Sequence, residues 1–174
     1  MLELIAPATR LRETWLAARD EWPPGAHQDG AGLDLEDDID SPEGFARWIT
    51  RLGREADPAI PPGGGRVHAT YWWIADGDTY LGAIALRHAL NGVLLQAGGH
   101  IGYSVRPSAR QRGIATWALR SVLPEARALG LQRVLLTCDD TNLPSARTIE
   151  NAGGILEDVR ESELGRIRRY WITL

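Results

Sequence analysis

Residues 102–116 have the sequence Gly-Tyr-Ser-Val-Arg-Pro-Ser-Ala-Arg-Gln-Arg-Gly-Ile-Ala-Thr, and the rest of the chain is arranged around them. An apolar run at residues 100–105 is interrupted by Pro107. Gly113 then precedes a segment whose apolar residues recur at helical spacing. The stretch therefore predicts a strand, a loop and a helix in that order.

Three basic side chains lie in this loop: Arg106, Arg110 and Arg112. A helix start presents unpaired backbone N–H groups and the positive end of the helix dipole, and a glycine there lets a ligand approach the backbone closely. The loop and the helix start therefore predict an anion site, most simply one for a phosphate or pyrophosphate.

The composition bounds the class of protein. With 174 residues the chain fits one domain, residues 1–174. The net charge of −4 argues against a general binder of nucleic acid or anionic membrane, so no nucleic-acid partner is expected. All 19 basic residues are arginine, which excludes a lysine-based mechanism.

Cys138 is the one cysteine, so an intramolecular disulfide or a cysteine metal cluster is excluded. The first residues lack a basic region followed by an apolar core, and no apolar run approaches the length of a membrane span. We therefore expect a cytoplasmic protein with no membrane partner.

The first third predicts a short strand at residues 2–5 and two helices with apolar stripes. The stripes are Leu11, Trp15, Ala18 and Trp22, and then Phe45, Trp48, Ile49 and Leu52. Ser41 and Pro42 provide the start of the second helix.

Between these helices lies the acidic segment 34–40. A calcium-binding loop that starts at Asp34 is excluded. Its sixth residue would have to be glycine but is Ile39, and its twelfth would have to be glutamate but is Phe45. Two interpretations stay open: a solvated mobile segment, or an acidic lip that attracts a cationic substrate.

The middle of the chain predicts an antiparallel meander. Residues 58–65 form a flexible connector rich in proline and glycine. Strands at 66–75 and 80–89 are joined by the turn Asp-Gly-Asp, and a looser turn at 91–99 leads to the strand 100–105. Trp72 and Trp73 point to opposite faces of the first strand, where packing is the favoured role.

The last third predicts a helix after Gly113, a buried strand at 133–138, a helix at 143–151 and two strands at 155–160 and 167–172. Pro124 lies inside the first of these helices, and we expect it to kink the helix near Arg120 or to end it early. The pattern is that of an α+β fold.

Two motifs resemble those of a known family. Arg-Gln-Arg-Gly-Ile-Ala at 110–115 resembles the Gln/Arg-x-x-Gly-x-Gly/Ala loop with which the GNAT superfamily of N-acyltransferases holds coenzyme A. A second match follows in Asn-Leu-Pro-Ser at 142–145 and Ile-Glu-Asn-Ala-Gly-Gly at 149–154.

The resemblance implies a mixed, mostly antiparallel twisted sheet with a central strand-helix-strand coenzyme A unit and flanking helices. Residues 1–60 would be a helical acceptor-side region, and residues 66–174 would form the core sheet and the coenzyme A site.

The resemblance also implies a set of coenzyme contacts. Backbone amides of residues 110–115 would bind the pyrophosphate, and the strand 103–105 would pair with the pantetheine arm, with the amide of Val105 polarising the thioester carbonyl. Asn142 and Ser145 would meet the pantetheine from the other side, although helix capping is an alternative role for them. The implied set is Ser104, Val105, Arg110, Gln111, Arg112, Gly113, Ile114, Ala115, Thr116, Asn142 and Ser145.

Acetylation of an amine needs a neutral nucleophile. An alkyl amine with a pKa near ~10.4 costs roughly 4 to 5 kcal/mol to deprotonate at neutral pH, so a base or a water relay is required. His100, on the strand of the thioester site, is the first candidate, and His68 and His88 are alternatives.

The leaving thiol needs less help, since its pKa is near ~8.5. The position where many relatives carry a tyrosine acid is here Ile149. Tyr103, Ser145 or water would have to substitute for that tyrosine. Cys138 could in principle be acylated, but a small core residue is the favoured interpretation.

The sequence therefore predicts an acetyl-CoA-dependent N-acetyltransferase without a metal, in which an amine attacks the thioester directly. The first expected partner is a small-molecule amine acceptor, and a protein amine is the second. A homodimer is left open. The alternative function is a non-catalytic acyl-CoA-binding regulatory module.

Overall fold

A computed structural model describes residues 1–163 and 165–174. The strands are β1 (Leu2–Ile5), β2 (Ala69–Asp76), β3 (Thr79–Arg87), β4 (Ile101–Val105), β5 (Arg133–Asp139), β6 (Ile155–Ser162) and β7 (Gly165–Thr173). The helices are α1 (Arg12–Arg19), α2 (Pro42–Glu55), α3 (Gly92–Gln96), α4 (Ile114–Ala128) and α5 (Leu143–Asn151).

The strands form two antiparallel sheets that meet at one point. The first has the order β1-β2-β3-β4 and the second the order β5-β7-β6. They join where Gly99 pairs with Leu136 and where the amide of His100 donates to the carbonyl of Leu135 at 2.7 Å. The α+β class, the antiparallel meander and the central β4-α4-β5 unit predicted from the sequence are confirmed.

Apolar clusters cover both faces of the first sheet. Helices α1 and α2 pack on one face, where Trp15, Phe45, Trp48 and Trp73 form edge-to-face and tilted ring contacts. Helices α4 and α5 pack on the other face, and Trp72 lies against that cluster. The packing roles predicted for the two neighbouring tryptophans are therefore confirmed.

Helix α4 shows that one of the two outcomes expected at Pro124, an early helix end, does not occur. The helix continues to Ala128 through the proline, so the early end is not found. Proline removes one backbone hydrogen bond. Val122 and Ala126 on either side of it are fully buried, and this packing holds the helix together past the missing bond. The predicted turn at 91–99 also differs, because it contains helix α3, whose first turn is capped by Asn91.

Ion pairs tie the acidic segment 34–40 to its neighbours, although four of its seven residues are exposed to solvent. Arg51 of α2 contacts Asp37 and, at 3.3 Å, Asp34, while Arg66 contacts Asp34 at 2.7 Å. Arg51 and the indole N–H of Trp48 also donate to the carbonyl of Gly32, at 2.8 and 3.1 Å. Helix α2 thereby fixes the segment that connects it to α1.

Within residues 1–163 and 165–174, no helix is both long and apolar enough to cross a membrane. Over the same residues, no group of three or more His, Cys, Asp or Glu side chains is placed to hold a metal ion.

Candidate active site

The central feature of the site is the free edge of β4. Among the described residues, no strand ladder joins β4 to β5 beyond the contact at His100. The amide of Arg106 donates to the carbonyl of Leu81, and the amide of Arg87 donates to the carbonyl of His100. Since backbone groups alternate along an antiparallel ladder, the amides of Tyr103 and Val105 point away from β3 into the gap.

Ser104 is placed differently from its neighbours. The same alternation turns its backbone groups towards Ala83 of β3, and its side chain is buried. Of the three residues expected to pair with the pantetheine, Tyr103 and Val105 therefore present free amides and Ser104 does not.

The start of α4 forms a concave array of backbone amides. Gln111 and Gly113 both adopt positive φ, at 61° and 73°, and no side chain caps the helix. The first-turn amides are thus left without an intrahelical acceptor, which is the arrangement that binds anions. A Cβ atom at Gly113 would meet nothing within 4 Å, so the space in front of these amides is open.

Beside this array lies a cavity of about 580 Å³ between α4 and α5. Its lining consists of Gly113, Thr116, Trp117, Arg120, Ser121 and Asn151. An aromatic ring, hydroxyls and a guanidinium next to an amide array fit a nucleotide attached to a pyrophosphate. Ile114 and Ala115 contribute backbone amides while their side chains pack in the core.

The arginines of the loop do not all face the amide array. The guanidinium of Arg110 lies 4.6 Å above the ring of Trp22, and its Nε donates to the carbonyl of Val105 at 3.1 Å. Arg106 pairs with Glu21 and donates to the carbonyl of Tyr80. Arg112 is exposed. Two of the three predicted anion ligands therefore hold the loop itself.

Glu21, just beyond the end of α1, ties the N-terminal helical region to the loop. Besides Arg106, its carboxylate accepts from the amide and the hydroxyl of Ser108 at 2.9 and 2.8 Å. The hydrogen bond from Arg106 lowers the pKa of Glu21 to about 2. The carboxylate is therefore ionised at neutral pH.

At the other end of the gap, Tyr103 meets α5. Its hydroxyl lies 2.9 Å from the hydroxyl of Ser145 and 3.3 Å from the carbonyl of the same residue. Burial raises the pKa of Tyr103 above its usual value, so the phenol is protonated and able to donate. The sequence-predicted Tyr103 and Ser145 are therefore brought together by the fold.

The residues around this pair have structural contacts. The side chain of Asn142 accepts from the amide of Ser145 at 3.2 Å, so it caps α5, as the alternative role held. Burial raises the pKa of the Cys138 thiol to about 11, which leaves it protonated and weakly nucleophilic. Ile149, at the usual tyrosine position, is fully buried in the core.

His100 is committed to joining the two sheets. It is 5% exposed, and its Nδ1 accepts from the amide of Leu135 at 2.9 Å. Burial lowers its pKa to about 4, so the ring is neutral and carries its proton on Nε2. Because no lone pair remains to take a proton from an amine, the geometry argues against the base role predicted for His100.

The other predicted histidines also have local partners. His68 Nε2 lies 2.9 Å from the carbonyl of Ile60, and His88 Nε2 lies 2.8 Å from the hydroxyl of Thr70. Their rings stack with centroids 6.1 Å apart. The structure thus places neither against the Tyr103 and Ser145 pair.

Sequence reasoning missed His27 and Asp29, which lie between α1 and α2. His27 Nε2 is 3.0 Å from a carboxylate oxygen of Asp29. Asp29 is followed by Gly30, which packs on Gly102 of β4. The spacing of a histidine and an aspartate two residues apart was the available signal, and the surrounding acidic stretch obscured it.

Comparison with known proteins identifies the family. The family model described as the acetyltransferase (GNAT) domain matches residues 13–155. The chain belongs to the GNAT acetyltransferase family. Acetyltransferases of this family use acetyl-CoA as cosubstrate, and the amide array, the adjoining cavity and the free β4 edge fit that molecule. No curated protein sequence matches the chain significantly.

Solved GNAT structures share the fold over nearly the whole chain. The ribosomal L7/L12 alpha-N-protein acetyltransferase RimL, in complex with coenzyme A, has a TM-score of 0.73 at 16% identity, covering 99% of this chain and 94% of its own. The microcin C7 self immunity acetyltransferase MccE, in complex with acetyl-CoA and AMP, has a TM-score of 0.70 at 15% identity, with coverage of 99% and 92%.

A third structure is the ribosomal-protein-S5-alanine acetyltransferase from Vibrio fischeri, with a TM-score of 0.69 at 17% identity and coverage of 99% and 91%. At these identities the likeness shows the fold. Proteins named for ribosomal acceptors are among the neighbours, so the comparisons do not support the predicted preference for a small molecule.

Proposed function

We propose that this acetyltransferase transfers the acetyl group of acetyl-CoA to a primary amine by direct attack in a ternary complex. The observation that carries the proposal is the free edge of β4 between the amide array at Gly113 and the pair formed by Tyr103 and Ser145. A ligand with a pyrophosphate at one end and a thioester at the other fits this path.

Each part of the path has a defined task. The amides at residues 111–116 hold the pyrophosphate, with Arg112 and Thr116 at its margin, and the amides of Tyr103 and Val105 pair with the pantetheine. Bound acetyl-CoA supplies an activated acyl group whose carbonyl becomes more polar when it accepts from the Val105 amide. Residues 1–60 form the acceptor side and residues 66–174 the coenzyme side of one domain.

Tyr103 is the group proposed to protonate the departing sulfur. Its hydroxyl is a donor because burial keeps it protonated, and Ser145 at 2.9 Å holds it in place. Since the thiol has a pKa near ~8.5, this assistance contributes less than deprotonation of the amine does. The role takes the place of the tyrosine that the chain lacks at Ile149.

Two acceptor classes satisfy this chemistry. A small-molecule amine was the sequence-based preference, and a protein amine is the class named in several structural neighbours. Both present the same reacting nitrogen, so a panel that contains small amines and short peptides with free N-termini decides between them.

The experiment combines binding with turnover. Calorimetry with acetyl-CoA should show binding, and thiol release over the amine panel should identify an acceptor whose mass increases by one acetyl group. Intersecting lines in two-substrate kinetics are expected for direct attack. An acetylated Cys138 that accumulates without acceptor would contradict direct attack.

A regulatory acyl-CoA-binding module remains the competing function, because the tyrosine expected at Ile149 is absent. Such a module would bind acetyl-CoA and release no thiol with any acceptor. Absence of binding would exclude both functions.

A further inference from the structure

The segment between α1 and α2 lies directly against the coenzyme strand. A Cβ atom at Gly30 would stand 2.4 Å from the carbonyl oxygen of Gly102 and 3.1 Å from the Cα of Ile84. The backbone of Gly30 also adopts φ of 78°. Glycine is therefore required at this contact, both for the close approach and for the backbone conformation.

The contact places Asp29 beside the residue that precedes Tyr103. The Cβ of Asp29 lies 3.7 Å from where a side chain at Gly102 would begin. This is the face of the sheet on which α1 and α2 pack, because Ala83, the partner of Ser104, belongs to that cluster. Asp29 and the His27 bonded to it therefore stand on the acceptor side of β4.

His27, unlike His100, has a ring nitrogen whose lone pair is available to accept a proton. Its bond to Asp29 uses Nε2, so in the neutral ring the N–H faces the carboxylate and Nδ1 carries an open lone pair. Its side chain is 81% exposed, so a substrate amine has access to that lone pair.

The charges around His27 come from several elements. The hydrogen bond to Asp29 raises the pKa of His27, while partial desolvation of the ring and, to a smaller extent, Arg87 of β3 act in the opposite direction. Tyr103 of β4 and Arg87 of β3 both lie within the electrostatic range of Asp29. The carboxylate of Asp29 strengthens the basicity of the ring, and histidine is the side chain that most often acts as a general base.

We propose that His27 is the general base that deprotonates the acceptor amine, and that Asp29 is a positioning residue that fixes its tautomer. This inference rests on the proposed N-acetylation. The acceptor ammonium loses one proton to Nδ1 of His27, which passes it to solvent. Its nitrogen then forms the C–N bond as the C–S bond breaks.

The proton given to the sulfur and the second proton lost by the nitrogen are also accounted for. The sulfur leaves with the proton of Tyr103, and the second proton of the attacking nitrogen returns to Tyr103 through Ser145 or water. The products are the amide, coenzyme A as the thiol and one released proton.

The test uses four variants of the full chain: His27→Ala, His27→Gln, Asp29→Asn and Gln28→Ala. Replacing His27 should lower kcat/KM by about 100-fold or more, since a general base contributes that much. Affinity for acetyl-CoA and the melting temperature should be unchanged. The Gln28→Ala control, within the same segment, should retain activity.

Two readouts separate a base from a structural role. Added imidazole should restore part of the activity of His27→Ala and none of that of His27→Gln, where the glutamine fills the space. The acid limb of the kcat/KM pH profile should be lost in His27→Ala and should move to lower pH in Asp29→Asn.

The outcomes are distinct. If the wild type turns over and His27→Ala retains its rate and acid limb, His27 is not the base, while the proposed function stands. Activity lost without rescue by imidazole also overturns the assignment. If the wild type binds acetyl-CoA without turnover, both this inference and the proposed function are wrong.

Discussion

The hydroxyl of Tyr103 lies 2.9 Å from the hydroxyl of Ser145, and this contact links the free edge of β4 to the first turn of α5. Both elements belong to the path along which the acyl donor is proposed to lie. The tyrosine of this pair lies on the strand. The position on α5 at which many relatives have a tyrosine is occupied here by the buried Ile149.

Tyr103→Phe tests the acid role. We expect kcat to fall by about 10- to 100-fold, because the sulfur loses its proton donor, with little change in acetyl-CoA affinity. Ser145→Ala should have a smaller effect, since the Ser145 carbonyl at 3.3 Å still holds the phenol. Single-turnover rates and calorimetry measure the two quantities. If the Tyr103→Phe variant keeps its full kcat, water and not Tyr103 protonates the leaving sulfur.

Gly113→Val tests the amide array. A valine there takes a backbone of φ 73° and projects into the open space where the pyrophosphate is proposed to bind. Gly130→Val is the matched control, because Gly130 lies beyond the other end of α4 with φ of 84° and also has open space. Each change should cost about 1 to 3 kcal/mol of stability, but only Gly113→Val should abolish acetyl-CoA binding. Calorimetric titration of both variants decides the matter.

Gly30→Ala tests the contact that the segment between α1 and α2 makes with β4. The new methyl group would collide with the carbonyl of Gly102, so the segment must move and kcat/KM should fall. Gly25→Ala has nearly the same φ, 75°, with nothing within 4 Å, and should cost only the backbone strain of about 1 to 2 kcal/mol. Equal activities for the two variants would show that the contact does not position the site.

His100 should make stability depend on pH. Its pKa is lowered from 6.5 to about 4, so the unfolded chain takes up a proton before the folded protein does. The contribution of the neutral His100 to the free energy of unfolding is therefore fully present above pH 6.5. It is lost as the pH falls towards 4, by up to about 1.4 kcal/mol per pH unit. Urea unfolding at several pH values measures it.

The variant His100→Asn isolates this effect. Its side-chain oxygen can still accept from the amide of Leu135, but it does not titrate. The difference in unfolding free energy between wild type and variant should therefore change across this window. A difference that stays constant would mean that His100 is not held neutral by the fold.

The sequence was sufficient for the elements whose signals are local. The glycine and arginine loop before α4 predicted the amide array, and the spacing of residues 142–154 predicted the helix that brings Ser145 to Tyr103. What it could not provide was the partner of each polar side chain. The amide of Leu135, on another strand, occupies the Nδ1 lone pair of His100. The guanidinium of Arg110 lies over the ring of Trp22 and not towards the expected anion.

The same limit applies to the segment between α1 and α2. His27 and Asp29 lie in no helix or strand. Their position is set by the contact between Gly30 and Gly102, which are 72 residues apart in the chain. At Pro124 the local signal was misleading. Proline tends to end a helix, but burial of the apolar face of α4 keeps the helix intact.

The position of Arg110 above Trp22 gives the protein an optical property. The chain has seven tryptophans, of which Trp15, Trp48 and Trp73 are buried in the core, whereas Trp22 is half-buried beneath Arg110 of the loop before α4. A cation over an indole perturbs its emission, so any shift of that loop changes the fluorescence of this tryptophan. The molecule thus carries an intrinsic fluorophore at the loop proposed to bind the coenzyme, and Trp22→Phe identifies its share of the signal.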